Sequence, residues 1–500
     1  MAAARCPLLL EREYELAVLA SSLGSLFAGS GGALTLMGGT GLGKTRIASE
    51  LARAASARGA VVLWVGVEPD GVCGEPFGAL ARLVRSAIAA GASETGGTAA
   101  LFGRARTALG LDHGPAAAMP PAVDMCPEPV AARGLVAELV EQLCERQPVV
   151  VIFDDFHHAA PETVSSGQLL ARDSAELPLL VVVTSASTDG SELGVGLRVE
   201  LSPLTEPAVR QMITSCWHDE VPDELVTALI EHAKGVPLFV EELLAAALDD
   251  HEGRVPVSFA SSVGRRLRNR EVTRRVLEVA ALLGTTFEWW LVAEIVSSPA
   301  HEVLNALQDG IDLGVLGPDD GSDARLFRFR SEATRDAVLS ELAPARRCDH
   351  ATAALAVLEQ RYPGLPGARL FQAAVLAEQA GRRDRAGALW SEAGSRCLAL
   401  GAFQEAGRCF ARAGEVAGAG RPEGTAWGVV SVVDPLEVAL GRARAYAGAG
   451  AEADVERALA ELRQAVQAEA IADLERARQR AAAAHTAIGF GLLWGGRVMH

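Results

Sequence analysis

The sequence predicts an α/β domain, a parallel sheet with helices on both faces, at the start of a chain that is otherwise helical. Short apolar runs of strand length alternate with helical stretches across residues 1–204, a pattern typical of a parallel sheet that is buried on both faces. After Pro203 the pattern becomes helical. At 500 residues the chain is long enough for three or four domains.

The first predicted strand leads into a phosphate-binding loop. The run "ALTLMG" (Ala33–Gly38) has the length and burial pattern of a strand, and "KTRIASELARAASA" from Lys44 is a helix by its apolar spacing. Between them, "LMGGTGLGKT" fits the pattern G-x-x-x-x-G-K-[ST]. A strand, this loop and a helix in that order predict a P-loop NTPase domain.

The loop predicts the binding of ATP or ADP with Mg²⁺. Glycines let backbone N–H groups point inward at phosphate, and the following helix adds its N-terminal dipole. We expect Lys44 to reach the β and γ phosphates and the Thr45 hydroxyl to be a Mg²⁺ ligand. The chain has only two lysines, Lys44 and Lys234. The predicted nucleotide-binding residues of the loop are Gly38, Gly39, Thr40, Gly41, Leu42, Gly43, Lys44, Thr45 and Arg46.

A second anchor for magnesium follows a neighbouring strand. The run "VVVIFDD" ends in Asp154 and Asp155. We expect Asp154 to hold Mg²⁺ together with Thr45, and Asp155 to orient or deprotonate the attacking water. The predicted catalytic residues are therefore Asp155, Asp154 and Lys44. The adjacent His157 and His158 favour a structural or nucleotide-sensing role, and no metal is assigned to them.

Further strands and a long loop complete the predicted domain. The strands are "AVVLWVGV" (60–67), "PVVVIFDD" (148–155), "LPLLVVVTSA" (177–186) and "LRVELSPL" (197–204). Residues 91–132 are rich in Gly, Ala and Pro. That composition predicts a partly mobile surface loop around a short helix, without chemistry of its own.

Three helical modules are predicted after the sheet. Residues 205–254 form a helical lid. Residues 255–345 combine helices with a hairpin, "LGVLGPDDGSDARLFRFRS", which indicates a winged helix. Residues 346–500 are alanine-rich helix with two similar units, which suggests tetratricopeptide-like (TPR-like) pairs. Residues 459–484 are amphipathic, and the last sixteen residues have no clear pattern.

Composition restricts the class of protein. A formal charge of −17 disfavours general nucleic-acid binding, which needs a basic field. The eight cysteines form no C-x-x-C pair, which argues against a disulfide framework and a structural zinc. The longest apolar runs have strand length, and the N-terminus lacks the pattern of a secretory signal. We expect a soluble, cytoplasmic protein.

The chain resembles the signal-transducing STAND branch of the AAA-like P-loop ATPases, and specifically the large ATP-binding regulators of the LuxR type (LAL). The matching runs are "LLERE" near the N-terminal motif of that family, "GGTGLGKT", "VIFDDFHHA", "LSPLTEPAV", "KGVPLFVEELL" and "FRFRSEATRDAVLSELAPARR". The resemblance implies an ATPase, a winged helix and helical repeats in this order. It further implies that Arg12 lies beside the nucleotide and that Pro237 packs on the adenine. A surface arginine and a helix-starting proline are the alternatives.

Several positions depart from the family pattern. Glu11 replaces the glycine before Arg12, Ser331 replaces a phosphate-sensing histidine, and His158 and Ala160 replace an aromatic residue and an acid. No arginine or lysine lies between Arg172 and Arg198, where the family usually has a basic γ-phosphate sensor. The missing residues are those that would stabilise the charge on the phosphoryl group during its transfer. The residues that bind the nucleotide before the reaction remain, so we expect slow hydrolysis.

The sequence favours an ATP-binding signal-transduction regulator with weak ATPase activity. An unknown protein or small-molecule inducer would bind the repeats, and ATP would permit self-association. No C-terminal helix-turn-helix is recognisable, and the Arg-rich "RRLRNREVTRR" (265–275) is more typical of a solvated helix face. Direct DNA binding is therefore not expected without a separate domain. A nucleotide-dependent scaffold and a P-loop enzyme, either a kinase or a motor ATPase, are the alternatives.

Overall fold

The fold is seen in a computed structural model of the chain. The structure describes residues 6–67, 77–90, 98–108, 129–186, 193–216, 222–249, 258–317, 326–418, 435–449, 456–460 and 462–463.

Five parallel strands form the central sheet in the order β2-β3-β4-β1-β5. Their bounds are β1 (Gly32–Met37), β2 (Val61–Gly66), β3 (Val149–Asp154), β4 (Leu179–Ser185) and β5 (Leu197–Glu200). Four strands lie within runs predicted from the sequence, and β1 begins one residue before its predicted run, so the predicted sheet is confirmed. Because all strands are parallel, the loops after β1, β3 and β4 lie at one edge, where ligands bind in open α/β sheets.

Helices cover both faces of this sheet. The helices are α1 (Glu13–Phe27), α2 (Lys44–Ala57), α3 (Gly78–Ala89), α4 (Thr98–Ala108), α5 (Pro129–Cys144) and α6 (Pro161–Asp173). In β3, Val150 and Ile152 pack in the core that includes α1 and α2, whereas Val151 and Phe153 pack with α3, α5 and α6. Side chains of a strand alternate between faces, which explains why β3 is apolar throughout.

The segment predicted as a surface loop contributes to the core. Within residues 91–132, α4 places Leu101 and Phe102 among buried side chains, and α5 begins at Pro129. Residues 91–97 and 109–128 lie outside the described part. The predicted short helix is present as α4, but its burial and the start of α5 were not expected, because small apolar residues are compatible with both loop and buried helix.

The described residues of the predicted lid, called the lid below, contain three helices: α7 (Glu206–Cys216), α8 (Asp223–Ala233) and α9 (Pro237–Asp249). The third module then contains α10 (Phe259–Leu267), α11 (Glu271–Leu283), β6 (Thr286–Glu288), α12 (Trp289–Val296), α13 (Ala300–Asp312), β7 (Leu326–Arg328) and α14 (Glu332–Ser340). The assignment of this module as a winged helix and the boundaries of the modules stay predictions.

The predicted hairpin in the third module differs in its pairing. The main partner of β7 is β6, about forty residues upstream. The expected first arm contributes one bridge, between Leu316 and Phe329. The ring of Phe287 in β6 lies 5.6 Å from that of Phe329, and both residues are buried. A three-residue strand is too short for a periodic signal, so the sequence did not reveal β6.

The described part of the predicted repeat region includes the helices α15 (Pro344–Arg361), α16 (Ala368–Gln379), α17 (Arg383–Ala399), α18 (Phe403–Gly418) and α19 (Pro435–Ala449). Small residues lie where these helices meet. A Cβ atom at Gly394 or Gly441 would come within 2.8 and 2.4 Å of the Phe410 ring. The ring therefore fills the space that two glycines leave. Most of the predicted amphipathic segment and the terminal sixteen residues lie outside the described residues.

We expect Gly441→Ala to destabilise the repeat region by about 1–3 kcal/mol, because the added methyl group overlaps a buried ring. Alanine gains about 1 kcal/mol of helix propensity over glycine, so the measured loss is a net value. Gly414→Ala is the matched control, since its Cβ would meet only Val438 at 3.7 Å. Thermal denaturation followed by circular dichroism measures both. A Gly441→Ala protein as stable as Gly414→Ala would contradict the packing.

None of the helices in the described part of the chain is both long and apolar enough to span a membrane.

Candidate nucleotide-binding site

The loop between β1 and α2 needs its glycines for conformation and for space. Gly38, Gly41 and Gly43 have φ values of 143°, 84° and 96°, a region that disfavours other residues. A Cβ atom at Gly41 would lie 2.9 Å from Val236 and Leu238 of the lid, whereas one at Gly43 would meet nothing within 4 Å. Gly41 thus allows the lid to approach, and Gly43 turns the chain into α2 beside open space.

Lys44 lies on the loop, as the predicted role requires. Its ammonium donates hydrogen bonds to the carbonyl oxygens of Gly38 (2.7 Å) and Gly39 (3.1 Å). The residue is buried, and burial lowers the pKa of Lys44, while the charges of Asp155 and Asp154 oppose this shift. The ammonium is thus held over the turn and close to the acidic strand end.

The ends of β3 and β4 and the start of α2 share one hydrogen-bond network. Asp154 Oδ1 accepts from the Thr45 hydroxyl at 3.0 Å and from the Thr184 hydroxyl at 2.7 Å. Thr184 Oγ1 in turn accepts from the backbone N–H of Asp155 at 2.8 Å. The structure therefore brings Thr45 and Asp154 together although 109 positions separate them. Thr184 is a site residue that sequence reasoning missed.

Burial raises the pKa of both Asp154 and Asp155. For Asp154 the charge of Asp155 adds to this effect, and hydrogen bonds from Thr184 and Thr45 oppose it. For Asp155 the charge of Lys44 is the main opposing influence. Asp155 also has a φ of 58°, a left-handed conformation that is uncommon for aspartate and typical of functional turns. Two carboxyl groups of reduced acidity thus lie beside one buried ammonium.

These residues fit a magnesium nucleotide. A hydroxyl and a carboxylate within hydrogen-bond distance are oxygen donors of the kind Mg²⁺ prefers. Among the described residues, a Cβ at Gly39 would meet only Leu42, at 3.8 Å, and one at Gly43 would meet nothing within 4 Å, so the loop leaves room beside its backbone. Leu42 itself is buried in the core. Arg46 donates to the carbonyl oxygen of Pro7 at 3.1 Å and so ties the loop helix to the N-terminal segment.

We expect Thr184→Val to weaken Mg²⁺-dependent nucleotide binding and to destabilise the protein by about 1–3 kcal/mol. Valine has nearly the same shape, but the buried Asp154 carboxylate loses a donor and the Asp155 N–H loses its acceptor. Thr184→Ser keeps the hydroxyl and should bind like the wild type. Titration of a fluorescent ATP analogue with and without magnesium measures the effect. Equal affinities for all three proteins would show that the Thr184 hydroxyl is not needed.

Within the N-terminal motif, Arg12 is buried, whereas the neighbouring Glu11 is exposed. Arg12 has only 5% of its surface accessible, and its guanidinium donates to the carbonyl oxygens of Glu11 and Ser202, both at 2.8 Å. Glu11 has a φ of 53°, and its carboxylate accepts from the Thr205 N–H and hydroxyl, which lowers the pKa of Glu11. The motif thus ties α1 to the start of the lid. Contact of Arg12 with a nucleotide stays a prediction.

The lid helix α9 touches the phosphate loop at its first turn. Pro237 is its first residue, and the next backbone N–H, of Leu238, donates to the carbonyl oxygen of Gly41 at 3.2 Å. The helix-starting position that the sequence suggested as an alternative for Pro237 is therefore present. Its packing on an adenine stays a prediction.

The same helix carries two glutamates that bind arginines of the third module. Glu242 pairs with Arg266 of α10 and with Arg330, which it contacts at 2.9 Å. Arg330 also pairs with Glu241. The side chains of Arg266 and Glu242 are 1% and 0% exposed. Burial lowers the pKa of Arg266 to about 10, so the guanidinium is still charged at neutral pH.

The third module also approaches the end of β3 directly. His158 Nε2 lies 3.2 Å from Glu332 Oε2 at the start of α14. Ser331, at the position of the family's histidine, accepts from the Thr334 N–H at 3.1 Å and caps α14. Arg328 is exposed, and its positive charge acts on both Asp154 and Asp155. Sequence reasoning missed Glu332 and Arg328 because their nearness to β3 comes only from the fold.

Comparison with known proteins finds a family model that matches part of the chain, a distant curated relative and solved structures of low sequence identity. Residues 8–182 match the family described as AAA ATPase domain. An uncharacterised protein of Rhizobium meliloti (strain 1021) is 26% identical over 313 residues, which are 55% of this chain and 30% of that protein. The chain thus matches less than a third of that relative's length.

Two solved structures are similar over much of the chain. One is a Signal Transduction ATPase with Numerous Domains (STAND) protein with a tetratricopeptide repeat sensor from Pyrococcus horikoshii. It is 16% identical, with a TM-score of 0.49 over 98% of this chain and 69% of that one. The other is the Aeropyrum pernix Orc1 protein in complex with DNA. It is 18% identical, with a TM-score of 0.34 over 68% of this chain and 94% of that one.

Proposed function

We propose that this chain, which carries an AAA ATPase domain at residues 8–182, is a STAND-type nucleotide switch. ADP holds the ATPase module, the lid and the third module together. ATP, with an inducer or partner bound to the repeats, opens them and permits self-association. A nucleotide shifts such an equilibrium only if it binds the two states unequally, so the lid must respond to what the loop holds.

The observation that carries the proposal is the double contact of α9. Its first turn donates to the phosphate loop through Leu238, and its middle carries Glu241 and Glu242, which bind Arg266 and Arg330 of the third module. One rigid helix thus connects the loop to the third module. A shift of the loop carbonyl at Gly41 on nucleotide binding would displace α9 and strain a buried ion-pair network.

The site residues have distinct roles in the proposal. The backbone of the loop and Lys44 bind the phosphates, and Thr45 and Asp154 hold magnesium. The ion supplies positive charge to the β and γ phosphate oxygens when it is bound. Asp155 orients water and accepts its proton, a role that its raised pKa suits. Arg12 and Pro237 bind the base side of the nucleotide.

Hydrolysis is slow in the proposal because β4 ends without a basic residue. Its last positions carry Thr184 and Ser185, followed by Ala186, and none can neutralise charge that develops during phosphoryl transfer. Arg328 of the third module is a cation whose charge acts on Asp154 and Asp155, at the end of the neighbouring strand β3. The cation would be present only while the third module is docked, which couples turnover to the conformational state.

The repeats sense the inducer in the proposal, and one contact lets them act on the ATPase module. The backbone N–H of Glu405 in α18 donates to Glu162 of α6 at 3.3 Å, and both residues are buried. A ligand that reorients α18 would break this contact close to the end of β3. We further propose a LuxR/LAL-like role in transcription, in which a separate domain contacts DNA.

Three measurements on the purified protein test the proposal. We expect bound ADP after purification, a change in particle size when a non-hydrolysable ATP analogue replaces it, and turnover below about 1 s⁻¹, the low end for enzymes. Turnover of tens per second without a partner would contradict the switch. Labelled ATP identifies the acceptor, and phosphate transferred to anything but water would favour a kinase.

A further inference from the structure

We propose that His157, His158 and Glu332 form a binding site for a divalent transition-metal ion, and that this ion joins the ATPase module to α14. The site is separate from the magnesium site of Thr45 and Asp154, and it does not depend on the proposed switch.

The three side chains converge although they come from distant parts of the chain. One potential ligand atom of each lies within 4.8 Å of those of the other two. The His158 Nε2 and Glu332 Oε2 atoms are 3.2 Å apart. Two ligands at about 2.1 Å from a zinc ion have this separation when the angle between them is about 100°, which is near tetrahedral. The cluster thus needs little rearrangement to accept an ion.

The donor set selects the type of metal. Two imidazole nitrogens and one carboxylate oxygen are a known zinc set, and the same set binds ferrous iron. Magnesium prefers oxygen ligands and retains its water, so it favours Thr45 and Asp154. A fourth position would remain open to water, since the three side chains are only partly buried.

The local structure fixes the ligands before an ion binds. The single helical turn Phe156–His158 is anchored by Phe156, which is fully buried and packs on Gly167, where a Cβ would come within 2.7 Å of the ring. Glu332 is fixed at the first turn of α14. Preorganised ligands bind an ion at lower conformational cost.

Metal binding would replace hydrogen bonds that the two histidines make. His157 Nδ1 accepts from the Ala186 N–H at a long 3.3 Å, and His158 shares a hydrogen bond with Glu332. A neutral imidazole has one lone pair, which it gives either to a donor or to a metal. The ion would therefore exchange these contacts for stronger coordination bonds. Because α14 supplies one ligand, the ion would stabilise the docked third module.

Titration of the full chain with Zn²⁺ and Co²⁺, after removal of metal with a chelator, tests the site without nucleotide. We expect one site with a Kd below about 10 µM. The Co²⁺ absorption spectrum should be that of a low-coordinate ion with nitrogen ligands. His158→Ala and Glu332→Gln should each weaken binding about tenfold or more. Zn²⁺ should raise the thermal midpoint of the wild type but not of Glu332→Gln.

The control is His350→Ala. His350 Nε2 lies 3.2 Å from Glu278 Oε2, the same separation as in the pair of His158 and Glu332. This pair lacks the second, adjacent histidine of the proposed site, so the loss of His350 should leave metal binding unchanged. Circular dichroism without metal checks that each variant folds, and Glu332→Gln preserves the shape of the side chain. Absence of a tight site in the wild type would overturn the proposal. So would equal binding by a folded His157→Ala/His158→Ala/Glu332→Gln variant, which would assign the metal to cysteines elsewhere.

Discussion

Lys44→Ala should reduce the affinity for ATP and ADP by about 100-fold or more, which corresponds to about 2.7 kcal/mol. Lys44 holds its ammonium over the loop, between the carbonyl oxygens of Gly38 and Gly39 and the carboxylates of Asp154 and Asp155. Charge-assisted hydrogen bonds to phosphate contribute about 1.5–3 kcal/mol each, so the loss of one or two explains the expected size. Isothermal titration with each nucleotide measures it.

Lys234→Ala is the matched control for this prediction. It removes the only other lysine of the chain, at the C-terminal end of α8. Both variants lose one positive charge, so an effect of net charge would appear in both. Unchanged affinity in a folded Lys44→Ala protein would place the phosphates somewhere other than this loop.

Glu242→Ala should lower the free energy of unfolding by about 3–5 kcal/mol. Among the described residues, the substitution leaves the buried guanidinium of Arg266 with one hydrogen-bond partner, the carbonyl oxygen of Leu313 at 2.6 Å. It also removes an ion-pair partner of Arg330. An uncompensated buried charge is the cause. Urea denaturation followed by tryptophan fluorescence measures the loss, because Trp289 and Trp290 lie in the same module.

Two further variants identify the cause of that loss. Glu206→Ala removes an exposed helical pair with Arg210 and should cost at most about 0.5 kcal/mol. The double variant Arg266→Met/Glu242→Leu removes both buried charges and should be more stable than Glu242→Ala. A Glu242→Ala protein no less stable than Glu206→Ala would mean that α9 and the third module are not joined by this network.

Local sequence signals were enough to predict the phosphate loop with its strand and helix, whereas the contact of these residues with a nucleotide stays a prediction. The loop, its strand and its helix are contiguous, and the backbone φ values explain why Gly38, Gly41 and Gly43 are glycines. Asp154 could be paired with Thr45 because strands β1 and β3 are parallel and end at the same edge of the sheet. The continuous apolar run of β3 also predicted a strand that is buried on both faces.

The remaining features depend on contacts between distant segments. Thr184 reaches Asp154 only because β4 lies beside β3. Nothing in "VVVTSAS" distinguishes a threonine that bonds to a neighbouring strand from an ordinary strand residue. Glu332 is 174 positions from His158. The arginines that hold Glu242 come from a helix read as a solvated face and from the end of β7. Such pairings are fixed by packing between modules, which periodicity and spacing do not encode.

Hydrogen exchange of the wild type with ADP and with a non-hydrolysable ATP analogue tests the central claim most directly. That claim is that the occupant of the loop sets the docking of the third module through α9. We predict faster amide exchange in α9, α10 and α14 with the ATP analogue than with ADP, and no such difference in Lys44→Ala. Equal exchange in these helices with both nucleotides, while both are bound, would contradict the account.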